Sequence, residues 1–217
     1  MIEKVSCVIP ALNEEQFIGE CLKSLRNQTY PLYEIIVVDG GSTDRTVDIA
    51  KKFADKVISV PIRNAALQRE IGCKIAKGDF ILLADADTVF PPDWVEKAMK
   101  YFVNPDVAAV TGDIRPLKPN ILSSINCWIR NVLTPHLTQR ACSFLFKRPP
   151  TDSLFAIDGH ISKLDIYPLR RRLTGKVIKA KDLFVYTDVP VEQQFQVVGL
   201  FAALSALAIC VASFYAS

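Results

Sequence analysis

The run Phe80-Ile81-Leu82-Leu83-Ala84 is bounded by Gly78-Asp79 in front and by Pro91-Pro92 behind, and it ends in Asp85-Ala86-Asp87. Five consecutive apolar residues between breakers read as a strand buried on both faces, the condition of an inner strand in a parallel sheet. Two carboxylates at the end of such a strand lie where open α/β sheets bind ligands. Their hard oxygens suit a divalent cation, Mg²⁺ or Mn²⁺, that keeps several waters and is shared with substrate phosphates. The alternative reading is an Asp-x-Asp turn that caps the following helix.

The residues before this run repeat the same design. Val5 to Pro10 is a β-branched run stopped by proline, followed by Asn13-Glu14-Glu15 and by Phe17, Ile18, Cys21, Leu22 and Leu25 at helical spacing. Tyr33 to Asp39 is a second apolar strand that leads into Gly40-Gly41-Ser42-Thr43-Asp44, where glycine lets the backbone approach a ligand and Ser42 or Thr43 can cap the next helix. Lys56 to Val60 reads as a third strand, Ala65 to Ala76 as a third helix and Phe80 to Ala84 as the fourth strand. Strands alternating with helices imply right-handed crossovers and a parallel sheet, so Ala11 to Glu14, Asp39 to Ser42 and Asp85 to Asp87 gather on one edge. Further on, a helix is expected from Trp94 to about Val103 and a strand over Val107 to Thr111. Residues 121–146 are read either as an amphipathic segment at a membrane surface or as a packed helical lid.

Three blocks now stand in order: Val8 to Glu15, Val37 to Thr46, and Ala76-Lys77-Gly78-Asp79 leading to Asp85-Ala86-Asp87. Together they resemble the nucleotide-sugar-binding half of a family 2 glycosyltransferase, strongly over residues 5–115 and more weakly to about 188. The resemblance implies an α/β fold of the GT-A type, Rossmann-like, with a mostly parallel central sheet flanked by helices. It also implies a nucleotide-diphosphate sugar donor, a divalent cation (Mn²⁺ or Mg²⁺) and inversion at the anomeric carbon. Carried over position by position, Pro10, Ala11, Asn13 and Glu14 line the nucleoside pocket and Asp39, beside Gly41, holds the base or ribose. Arg69 contacts the donor, with a helix-surface arginine as the alternative. Asp85 and Ala86 meet the donor, Asp85 reaches the ribose or the metal, and Asp87 binds the metal directly.

Inverting transfer needs a carboxylate to deprotonate an acceptor hydroxyl, unless the acceptor is already an anion. In the family this is the Asp of a Glu-Asp pair that precedes arginines, a glycine and a strand. Asp165 is the matching candidate, ahead of Arg170-Arg171-Arg172 and Gly175-Lys176-Val177. Leu164 stands where the Glu is expected, Pro168 interrupts the usual helix, and Asp158 competes for the role. The Gln-x-x-Arg-Trp motif of processive synthases is missing from Glu192-Gln193-Gln194-Phe195, which favours transfer of a single sugar.

After Glu192 no charged residue appears, and Val197 to Tyr215 is almost wholly apolar. A helix over it spans about 28 Å at a rise of about 1.5 Å per residue, close to the bilayer core. The expected organisation is a glycosyltransferase domain over 1–190, divided at about 115 into donor and acceptor halves, with a C-terminal hydrophobic, transmembrane helix over 195–217. The alternative is a helix buried in an interface: Gly199, Ala203 and Ala206 permit close packing and a homo-oligomer through this helix. The start at Met1-Ile2-Glu3-Lys4 runs straight into a strand-like segment, which argues against a signal peptide. With the positive-inside rule this places the protein on a membrane with the catalytic domain on the cytoplasmic side. The acceptor is then expected to be a membrane lipid or a polyprenyl-phosphate-linked glycan, and the basic cluster Arg170 to Lys181 could attract anionic headgroups.

A net charge of +3 gives no case for nucleic acid, and the six cysteines show neither a C-x-x-C pair nor zinc spacing, so they read as small buried hydrophobes. Two alternatives to the enzyme are weighed. A nucleotidyltransferase would carry a glycine-rich basic loop after the first strand, where this chain has Pro10-Ala11-Leu12-Asn13-Glu14. A catalytically inactive membrane partner subunit draws its support from Leu164 and the irregular 150–168 region.

Overall fold

The computed structural model describes residues 3–133, 143–148 and 175–188. The elements run β1 (Val5–Ala11), α1 (Ile18–Arg26), β2 (Glu34–Asp39), α2 (Thr46–Ala50), β3 (Lys56–Ser59), α3 (Ala65–Ile75), β4 (Phe80–Ala84), β5 (Thr88–Val89), α4 (Trp94–Tyr101), β6 (Val107–Pro116), α5 (Ile121–Leu133), β7 (Ser143–Lys147) and β8 (Lys176–Thr187). The strands form one sheet in the order β3-β2-β1-β4-β7-β6-β8-β5. β1, β2, β3 and β4 are mutually parallel. The chain winds outward from β1 to β2 and β3, then returns to lay β4 on the other side of β1. That reversal puts a crevice at the carboxyl ends of β1 and β4.

Each inner strand is buried along its whole length, which is why these strands read as unbroken apolar runs. Alternation divides their side chains between two cores. Cys7, Ile9, Ile35, Val37 and Leu82 pack with Ile18, Leu22 and Leu25 of α1 and with Trp94 of α4. Val8, Ile36, Val38, Ile81 and Leu83 pack on the opposite face with Cys73 of α3. A polar clamp fixes the entry edge. The Glu34 carboxylate accepts from Ser6 Oγ at 2.8 Å, Lys77 N–H at 2.6 Å and Lys56 Nζ at 2.7 Å. Burial alone would raise its pKa, but these donors outweigh burial and hold it below the ordinary value.

The sheet corrects the sequence reading at three places. Residues 121–146 are not one amphipathic segment or lid: α5 ends and β7 follows, antiparallel to both β4 and β6 in the middle of the sheet. Phe144 and Phe146 are therefore core residues of a central strand. Three apolar residues, Phe144 to Phe146, have no period that distinguishes helix from strand, whereas two open strand edges supply hydrogen-bond partners that select the strand. The second half of the sheet is accordingly mixed rather than parallel. Finally, β6 does not stop at Thr111 but runs to Pro116, because Gly112 lets β8 close in: a Cβ there would lie 2.7 Å from the Leu183 carbonyl oxygen.

Cys7, Cys21, Cys73 and Cys127 are buried free thiols, and burial pushes Cys73 up to about 12. No helix among the described residues is long and apolar enough to cross a membrane. The expected C-terminal hydrophobic helix lies outside the described residues, as do Asp158, Leu164 and Asp165.

One position tests how tightly α3 sits on the sheet. A Cβ on Gly72 would meet Val8 Cγ1 at 2.3 Å, and the β-branched Val8 cannot swing aside. Gly72→Ala is expected to cost about 1–3 kcal/mol in a chemical denaturation experiment, despite the better helix propensity of alanine. The double variant Val8→Ala/Gly72→Ala should lose less than the sum of the two single changes.

Candidate active site

Parallel pairing delivers the ends of β1, β2 and β4 to the same edge, and the loops that leave them are laced together. Asn13 sits at φ 55°, a left-handed conformation that asparagine tolerates better than most residues. Its Oδ1 accepts the Thr43 N–H at 2.9 Å, and its own N–H donates to Ser42 Oγ at 2.8 Å. The Glu14 N–H donates to Thr46 Oγ1 at 2.7 Å, and the Glu15 N–H to Asp44 Oδ2 at 3.1 Å. Ser42 and Thr43 therefore do not cap α2, as their positions in the sequence suggested. They hold the first loop, while Asp44 Oδ1 takes the Thr46 N–H at 2.9 Å.

The remaining candidates from the second and first loops are placed as follows. Asp39 is buried, and its oxygens accept the Gly41 and Ser42 N–H groups, each at 3.1 Å, so the side chain shapes its own turn. Pro10 and Ala11 are buried at the end of β1, where the Ala11 carbonyl accepts the Gly40 N–H at 2.8 Å. They form a floor beneath the loops.

Arg69 is not a free surface arginine. It reaches from α3 to Asp85, with Nη2 2.6 Å from Oδ1, and its side chain is only 12% exposed. Its Nε is buried without a hydrogen-bond partner among the described residues. Ala86 is 4% exposed and its methyl group belongs to the core, so only its backbone can face a donor. Asp87 is held from an unexpected direction. Thr187 Oγ1 at the end of β8 donates to Asp87 Oδ2 at 3.2 Å, and Thr88 Oγ1 lies 3.4 Å from Oδ1. Thr88 and Thr187 are buried and stand directly opposite each other in the β5–β8 pair. No motif pointed to Thr187, because the contact joins residues far apart in the chain. Only the alternating pattern of β8 carried a signal there.

The edge is strongly acidic. Burial, then the charges of Asp87, Asp85 and Asp44, push the Glu14 carboxyl up to about 7 from an ordinary 4.5. Among the described residues no group of three or more His, Cys, Asp or Glu could hold a metal by itself. Asp85 and Asp87 together match the other mode of binding hard cations, in which one or two carboxylates act with substrate phosphates and water. A divalent charge would relieve the mutual repulsion of these carboxylates, so the residues present fit such an ion.

Residues 6–123, more than half of the chain, match the family model described as glycosyl transferase family 2. The chain belongs to glycosyltransferase family 2. Over 206 residues, 88% of this chain and 59% of the relative, it is 26% identical to a dolichyl N-acetyl-alpha-D-glucosaminyl phosphate 3-beta-D-2,3-diacetamido-2,3-dideoxy-beta-D-glucuronosyltransferase of Methanococcus voltae. Over 93 residues, 39% of this chain and 15% of the relative, it is 43% identical to a poly(ribitol-phosphate) beta-glucosyltransferase of Bacillus spizizenii. Among solved structures, it is similar to a mannosyltransferase from Pyrobaculum calidifontis in complex with GDP-Man and Mn²⁺. The TM-score is 0.66 at 23% identity, with 88% of this chain and 58% of that one covered. At that identity the likeness is one of fold, and it establishes the α/β architecture of the GT-A type. The chain thus spans less than two thirds of the length of each of these proteins.

The raised Glu14 pKa has a measurable consequence. Between 4.5 and about 7 the folded chain holds a proton at Glu14 that the unfolded chain releases, so this group's contribution to stability falls as pH rises through that window. Relative to wild type, Glu14→Gln should therefore become more stable from about pH 5 to about pH 8, read from denaturation midpoints. A difference that does not change with pH would contradict the raised Glu14 pKa that burial and the neighbouring carboxylates produce.

Proposed function

We propose that this family 2 member is a metal-dependent inverting glycosyltransferase. It moves a single sugar from a nucleotide-diphosphate donor to a membrane-associated, lipid-linked acceptor. The observation that carries the reading is the meeting of Glu14, Asp85 and Asp87 at the strand-end crevice, with Arg69 locked onto Asp85. A nucleoside diphosphate departs readily only when its developing charge is neutralised. Asp87, assisted by Asp85, would hold the divalent cation that supplies this neutralisation when bound.

The chain's own residues have the following roles in this reading. The Asn13 loop and the Asp39 turn form the nucleoside pocket above Pro10 and Ala11, with the remaining lone pairs of Asp39 directed to the base or ribose. Arg69 orients Asp85 and supplies positive charge beside the diphosphate. Thr88 and Thr187 orient Asp87. Asp165, with Asp158 as its competitor, removes the acceptor proton where the acceptor is a hydroxyl. The lipid-linked acceptor is supported by the apolar run Val197 to Tyr215 and by the archaeal relative named for a dolichyl phosphate glycan. The run also supports a membrane location, with the catalytic domain on the cytoplasmic side.

The basic cluster contributes less to this picture than its sequence suggested. Lys179 Nζ is 2.7 Å from Asp113 Oδ1 and donates to the Asn131 carbonyl at 2.6 Å, so it is tied within the fold. A second reading, an inactive partner subunit, is favoured by Leu164 in place of the family's glutamate.

Transfer of labelled sugar from a panel of nucleotide donors, in membranes that contain the protein, separates the two. Label should enter the lipid phase with Mn²⁺ and disappear with chelator, and Asp87→Asn should reduce transfer by about a hundredfold or more while leaving the unfolding midpoint nearly unchanged. Near-normal transfer by Asp87→Asn would overturn the metal assignment. Donor binding with no transfer to any acceptor would favour the inactive subunit.

A further inference from the structure

The helix α5 is amphipathic in the wrong sense for a helix that packs on a sheet. Its inward positions are largely polar: Ser123 and Asn126 are buried, and Asn131 docks on β6. The Asn131 side chain accepts the Ile114 N–H and donates to the Ile114 carbonyl, each at 2.8 Å. Of its three exposed positions among the described residues, Ile121, Ser124 and Trp128, the two large ones are apolar. Ile121 is 79% exposed and Trp128 62% exposed, and their seven-residue spacing puts them on one face two turns apart, with the half-buried Ile125 between them. The helix start is firmly built, since Asn120 N–H donates to Ser123 Oγ at 2.9 Å and Ser123 N–H to Asn120 Oδ1 at 2.8 Å. The exposed stripe is therefore a property of a well-capped helix. Among the described residues nothing covers it.

Two observations identify the partner by its chemistry. Over residues 114–133, α5 and the turn that leads into it, the charged residues are Arg115, Lys118 and Arg130 with no acidic one, so this stretch of sequence is complementary to an anionic surface. Exposed tryptophan and isoleucine on such a helix suit the boundary between headgroups and acyl chains. The same chain carries the charge-free run Val197 to Tyr215, which is long enough to enter a bilayer. The location also fits, because α5 starts next to the site. Pro116 at the end of β6 pairs with Thr187, Leu117 N–H donates to the Thr187 carbonyl at 2.8 Å, and Thr187 holds Asp87.

We propose that the Ile121–Trp128 face of α5 docks on an anionic bilayer, seating the Asp87 site against the surface from which a lipid-linked acceptor would enter. This deepens the membrane-directed reading of the function and rests on it for the meaning of the acceptor, but the docking can be tested separately. The protein has two tryptophans, and Trp94 is fully buried, so Trp128 is a local reporter.

The full chain is reconstituted in phosphatidylcholine vesicles with or without phosphatidylglycerol, using ordinary or brominated acyl chains, with Trp128→Phe to subtract the Trp94 signal. The expected result is a blue shift of Trp128 emission, its loss in brominated vesicles and its protection from aqueous acrylamide. These effects should be stronger with phosphatidylglycerol and lost in Ile121→Glu. Trp128 that is unquenched by bromine and open to acrylamide overturns the proposal. Protection from both quenchers also overturns it, because a protein surface, such as a second copy, then covers the face. Equal quenching with and without phosphatidylglycerol overturns the anionic requirement. Sugar transfer to lipid with Trp128 unquenched removes the docking alone, whereas quenching without lipid transfer removes the functional reading alone.

Discussion

The hydrogen-bonded ladder that holds β1 between β2 and β4, all parallel, is the constraint on which the rest depends. Parallel pairing sends every strand out of the sheet at the same edge. The reversal of winding beside β1 keeps the loops there from closing over one another. The acidic residues that would repel one another in an extended chain are forced together by strands whose apolar burial is much larger than the repulsion. Burial first, and then the charges of Asp87, Asp85 and Asp44, raise the Glu14 pKa. The Glu34 clamp at the opposite edge ties β1, β2, β3 and the turn before β4 to one buried carboxylate, so the two ends of the ladder are fixed independently.

Much of the donor half was legible in the sequence because its strands are buried on both faces and its breakers are strong. The bounds of β4 agree with the apolar run from Phe80 to Ala84, and β1, β2 and α3 fall within a residue of their apolar patterns. The other half was harder to read for a physical reason. β7 is a short strand whose identity depends on the open edges of β4 and β6, and no local pattern within Ser143–Lys147 reports them. The extension of β6 past Gly112 similarly depends on the approach of β8. In the site, Asp85 and Asp87 were visible as a motif, but their partners were not. Arg69 could be assigned to Asp85 only once α3 was folded onto the sheet, and Thr187 only once β8 had paired with β5.

The same division separates what each half contributes. Within residues 5–90 the strand-end loops are built from backbone turns and short side-chain hydrogen bonds. The second half of the sheet meets these loops through β8, whose Thr187 touches the carboxylate proposed to hold the metal. The end of β8 is therefore tied by a hydrogen bond to Asp87, a few residues from the start of α5.

The central claim is that the strand-end acids hold a divalent cation jointly with a nucleoside diphosphate. Titration of the protein with Mn²⁺, followed by the loss of the free-ion electron paramagnetic resonance signal, measures this without requiring an acceptor. The account predicts weak Mn²⁺ binding alone, much tighter binding when a nucleoside diphosphate is present, and loss of that enhancement in Asp87→Asn. Equal Mn²⁺ binding by wild type and Asp87→Asn in the presence of the nucleotide would contradict it.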